Sequence, residues 1–95
     1  LREYLHDHHI HIVREKMIYD HGHYYPILDC VCEDTKQEVS TSQLYFGVNM
    51  LIDETYAAYL DFEENKYKNI LSKVNKPEFI EKMEYIKEIR TQRIS

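Results

Sequence analysis

The sequence has only two glycines, Gly22 and Gly47, and two prolines, Pro26 and Pro77. It therefore holds no Gly-rich phosphate loop, no GxSxG elbow and no Walker or Rossmann fingerprint. No Ser/His/Asp ordering replaces them, and no complete catalytic site is legible. Tryptophan is absent and cysteine occurs twice, as Cys30 and Cys32. Two residues apart on a strand, they share a face and are badly placed to bridge each other. No apolar run approaches the ~20 residues of a membrane span, and none looks like a signal-peptide core. The expectation is a cytoplasmic protein with no membrane partner. A net charge of -5 also argues against a chain that is wholly a polyanion-binding module.

The charge is unevenly spread. Residues 1–47 carry four Lys or Arg against eight Asp or Glu, residues 48–74 three against five, and residues 75–95 five against four. The basic balance rises toward the C-terminus, which suits either a nucleic-acid contact there or a solvated helix face.

Leu1, Tyr4 and Leu5 lie at helical spacing, so the chain is expected to begin inside a helix and to be the C-terminal piece of a larger protein. Residues 10–19, rich in Ile, Val, Met and Tyr, read as a strand. Asp20, His21, Gly22 and His23 read as a four-residue turn. In the second strand, residues 24–32, both faces are largely apolar, the pattern of a strand inside a sheet covered on both sides. The layers that would cover it are not in this sequence.

Residues 33–42 read as a polar loop in which Ser40, Thr41 and Ser42 serve as caps or turn formers. The apolar segment 44–51 is expected to pack against the sheet. Asp53 offers an N-cap to a helix of about twenty residues with Tyr56, Leu60, Tyr67, Leu71 and Val74 as its stripe. Pro77 starts another helix, with Phe79, Ile80, Met83, Ile86 and Ile89 on one face. A short loop between two amphipathic helices predicts an antiparallel pair of coiled-coil type.

Six histidines, His6, His8, His9, His11, His21 and His23, crowd the first quarter of the chain and raise the question of a metal site. No Cys pair stands at zinc spacing, and a polar strand start plus a polar turn accounts for them without a metal. Cys30 and Cys32 read first as small hydrophobes. The nine tyrosines read as core or interface residues before base-stacking platforms.

Taken in order, the run Leu1-Arg2-Glu3-Tyr4-Leu5, the strand begun near His9 and Ile10 with Ile12 and Glu15, and Tyr25-Pro26-Ile27-Leu28 resemble the final helix and strand hairpin of bacterial tRNA (adenine-N1)-methyltransferases of the TrmK type. Tyr45-Phe46-Gly47, Leu51 and the two helices fill the places of that family's aromatic-Gly-Pro-Leu-like segment and C-terminal helical pair. The sequence departs from the family at Val48, where proline is usual, and at Pro26, where glutamate is usual.

The resemblance implies an α/β portion, residues 1–47, that ends a class I (Rossmann-like) methyltransferase sheet with a helix and an antiparallel β-hairpin. An all-α portion, residues 48–95, follows as an antiparallel coiled-coil helical hairpin. It implies transfer of a methyl group from S-adenosylmethionine to N1 of a tRNA adenosine, with the cofactor bound upstream of this sequence and this portion inactive alone. The partners implied are tRNA and the upstream methyltransferase domain. The helical hairpin would position tRNA through phosphates, with Lys66, Lys73, Lys76, Lys87, Arg90 and Arg93 as candidate contacts. No catalytic, cofactor or metal-ligating residue is assigned here. The competing readings are a stand-alone α+β protein-interaction module and a His-rich metal-binding domain.

Overall fold

Two residues make the hairpin turn, not four. His21 and Gly22 take φ of 50° and 79°, and Asp20 pairs with His23 to close the ladder between them. Positive φ at both central positions suits the right-handed twist of the flanking strands, and Gly22 adopts it without steric cost. A computed structural model describes residues 1–94, with side chains through residue 92. Its elements are α1 (Arg2–Asp7), β1 (Ile10–Asp20), β2 (His23–Cys32), α2 (Thr41–Phe46), α3 (Glu54–Leu71) and α4 (Pro77–Ile94). No helix is long and apolar enough to cross a membrane among the described residues.

β1 and β2 form a two-stranded antiparallel sheet. Its register slips at Val13, with Ile12 opposite Cys30 and Arg14 opposite Asp29. This bulge lets Ile12 and Glu15, three residues apart, both point inward beside Met17. Strict alternation would have put one of them outside.

The two edges of the sheet are treated differently. On the far side of β1, the Gln37 amide accepts from the Ile12 N–H at 2.8 Å and donates to the Ile12 carbonyl at 3.0 Å. Asn49 Nδ2 donates to the same carbonyl, and Glu15 exchanges backbone bonds with Asn49 and Leu51 in a short parallel bridge. That edge is closed. Along β2, no further strand pairs among the described residues. Tyr25, Ile27 and Val31 are exposed there, and so are Cys30 and Cys32, which sequence reasoning placed in a core. The core assignment assumed layers over both faces, whereas among the described residues α3 covers β2 only at Tyr24, through Tyr59 and Phe62.

α2 replaces part of the expected loop. Ser40 and Gln43 form a reciprocal capping box, with Gln43 N–H donating to Ser40 Oγ and Ser40 N–H to Gln43 Oε1. The helix ends at Gly47, whose φ of 140° and lack of a side chain admit Met50. The apolar run 44–51 is thus bent into two pieces. Asp53 caps α3 by accepting the Tyr56 N–H at 2.9 Å, and Pro77 opens α4, both as read from sequence.

α3 and α4 run antiparallel. The Tyr67 ring stacks on Phe79 near the loop, while Arg90, late in α4, reaches Asp61 and Glu64 in the middle of α3. Met17, Phe46, Tyr56, Leu60, Tyr67, Ile86 and Ile89 share one core. Each such side chain contributes about 1.5–3 kcal/mol by leaving water. Val74 lies beyond the end of α3 and Ile80 faces solvent, so the two apolar stripes are shorter than their sequence pattern.

Candidate functional site

Among the described residues one paired carboxylate is fully enclosed. Glu15, in mid β1, is 1% exposed. Arg2 from α1 approaches it with Nη2 at 2.8 Å from Oε1 and Nε at about equal distances, 3.1 and 3.0 Å, from the two oxygens. Arg2 Nη1 also donates to the Tyr45 carbonyl in α2 at 3.1 Å. From the other side the Val48 N–H donates to Glu15 Oε2 at 2.5 Å. One side chain therefore joins α1, β1 and the connection between α2 and α3. Desolvating both charges is costly and is offset only when geometry and extra hydrogen bonds are good, as here. Sequence reasoning noted Arg2 and Glu15 only as parts of a pattern, because their meeting depends on the Val13 bulge.

The residues expected to meet tRNA are dispersed. Lys66 is 2.8 Å from Glu63 and 5.2 Å above the Tyr67 ring. Arg90 bonds Asp61 at 2.5 Å and Glu64 at 2.7 Å, clamping α3 to α4. Lys73 and Lys76 are exposed at the turn between these helices, and Lys87 is exposed on α4. These three have no ion-pair partner among the described residues. From Lys76 to Lys87 the helix advances about 16 Å. They therefore form two separate contact points. The Arg93 side chain lies outside the described residues. Lys82, which the sequence did not single out, sits within 5.8 Å of the rings of Tyr45, Tyr67 and Phe79 and ties α2, α3 and α4 together.

The histidines do not converge. His6 and His11 bond the carbonyls of Gln37 and Thr35, fastening the 33–40 loop, and His8 stacks on Tyr4. No group of three His, Cys, Asp or Glu that could hold a metal ion occurs among the described residues. Cys30 is not activated. Partial desolvation, then the Glu15 charge, pushes its thiol up from the ordinary value, away from a reactive thiolate. Burial, followed by the Glu63 carboxylate, likewise raises the phenols of Tyr59 and Tyr67, the latter to about 12.

The arrangement of a hairpin, a short capped helix and an antiparallel helical pair is shared with part of a solved methyltransferase. The structure of M. capricolum TrmK in complex with the natural cofactor product S-adenosyl-homocysteine superposes on it with a TM-score of 0.67 and 23% sequence identity. The match covers 96% of this chain and 42% of that one, so the chain spans less than half the length of that protein. At this identity the likeness is one of fold. Comparison with curated protein sequences gives no match. The family model for TrmK, tRNA (adenine(22)-N(1))-methyltransferase, matches residues 1–94, and the chain belongs to that family.

Proposed function

We propose that this chain is the C-terminal part of a cytoplasmic, S-adenosylmethionine-dependent tRNA methyltransferase that modifies N1 of an adenosine. The observation that carries the reading is the family match over residues 1–94. In this division of labour residues 1–47 complete a Rossmann-like sheet. Residues 48–95 form a coiled-coil helical domain that holds tRNA, and S-adenosylmethionine is bound upstream.

Two physical features support it. The far side of β1 is closed by Gln37, Asn49 and residues 49–51, whereas the outer edge of the ten-residue β2 has no strand paired to it among the described residues. Among the described residues the edge of β2 is the open one, and an upstream strand paired there, with a helix layered on that face, would cover Tyr25, Ile27 and Val31. Among the candidate cations, Lys73, Lys76 and Lys87 are the ones left without carboxylate partners among the described residues, which favours them for phosphate contact over Lys66 and Arg90. Arg93 remains a candidate on charge alone.

Labelled S-adenosylmethionine and unmodified tRNA test this directly. Methyl transfer is expected with the full-length protein and not with residues 1–95 alone. Transfer by residues 1–95 alone would refute the division of labour, and none with the full-length protein would refute the function.

A further inference from the structure

Among the described residues every other acidic side chain that pairs with a cation does so at least partly in solvent, whereas the Glu15 side chain is 0% exposed against 12% for Arg2. Its position in the chain matters as much as its burial. Val48, whose N–H it accepts, follows the bend at Gly47, and five residues later Asp53 caps α3. The backbone of Glu15 holds the same connection at two further points, through Asn49 and Leu51. Just before the bend, the Phe46 carbonyl accepts from the buried Tyr56 hydroxyl at 2.9 Å, so the origin of α3 is tied to the segment that Glu15 grips.

We infer that the Arg2–Glu15 pair is a positioning lock, which sets the angle at which the helical pair leaves the sheet and thereby presents bound tRNA to the methyl donor. This rests on the methyltransferase reading above and adds to it a residue pair that touches neither substrate. A carboxylate is suited to the task because it takes two charged donors on one side and a backbone donor on the other, which an apolar filler cannot. An error of about 1 Å in substrate placement suffices to cost on the order of a hundredfold in rate. The connection 47–53 contains one glycine and no proline, so its path is held by these hydrogen bonds together with the burial of Val48 and the packing of Met17 and Phe46 against α3 and α4.

The experiment uses the full-length protein and compares wild type, Glu15→Gln and the double variant Arg2→Met/Glu15→Met. Removing both charges avoids leaving one buried and unpaired, so the double variant should recover most of the thermal stability that Glu15→Gln loses. Affinity for S-adenosylmethionine is expected to stay within about twofold of wild type in both, because the cofactor lies upstream. Catalytic efficiency on tRNA is expected to fall roughly tenfold or more in both, since neither variant restores the charged acceptor at Val48. If Glu15→Gln does not fold, the double variant carries the test. Wild-type efficiency on tRNA in either folded variant, or its recovery together with stability in the double variant, would show a merely structural pair and overturn the inference. A wild-type protein that transfers no methyl group to tRNA overturns the functional reading itself, and the lock with it.

Discussion

At single residues, the strongest constraints are steric and polar rather than apolar. A Cβ added at Gly47 would lie 2.8 Å from Met50 Cε and 3.3 Å from Met50 Cβ, at a φ of 140°. Gly47→Ala is therefore expected to cost about 1–3 kcal/mol, read as a lower denaturation midpoint at unchanged slope. Tyr56→Phe removes the donor of a buried carbonyl and should cost about 1–3 kcal/mol, although it deletes only one oxygen. The raised phenol of Tyr67 gives a pH dependence of definite sign. Its folded value is about 12 against an ordinary 10.0, so the folded state holds its proton more tightly. That contribution is fully present below pH 10 and is lost as pH rises from there through about 12. Stability measured across this interval should decline less steeply in Tyr67→Phe than in wild type. Glu15 marks the limit of what the sequence disclosed at this scale. Glu15 was visible as part of a family pattern, but its partner depended on a bulge that composition does not announce, and Arg2 lies thirteen residues away.

Elements with strong local signals were legible. Asp53 and Pro77 mark the starts of α3 and α4 because capping and proline geometry are decided within a few residues. α2 was missed although Ser40 and Gln43 form a capping box, since a six-residue helix has too short an apolar period to register. The hairpin turn was placed correctly but drawn two residues too long, because Asp20 and His23 are turn formers that here pair as strand ends. The α3–α4 pair predicts its own salt response. Arg90→Gln breaks both bridges to α3, and because Arg90 and Asp61 are solvent-exposed in part the loss should be only about 0.5–1 kcal/mol, shrinking at high salt. Lys73→Glu with Lys76→Glu should leave thermal stability almost unaltered. In the full-length protein, the same pair of changes should weaken tRNA binding and flatten its dependence on salt. A slope equal to wild type would remove the inter-helix turn from the proposed tRNA surface.

For the whole molecule, the core that joins Met17 and Phe46 to α3 and α4 makes hairpin and helices one packed unit, while among the described residues no strand pairs with the outer edge of β2 and Tyr25, Ile27 and Val31 stand exposed. The apolar pattern of β2 was readable in sequence. That the other edge would be sealed, by a glutamine side chain and a two-residue bridge, was not, because both contacts span more than twenty residues. An isolated chain with such an edge is expected to self-associate, and Ile27→Lys should reduce this as measured by light scattering. In the function proposed above an upstream strand pairs along that edge, and the most direct measurement tests that proposal. Unmodified tRNA treated with the full-length protein and S-adenosylmethionine, then digested and analysed by mass spectrometry, should contain 1-methyladenosine at the adenosine that the family description numbers 22. Methylation of another base, or none that depends on S-adenosylmethionine, would contradict the account.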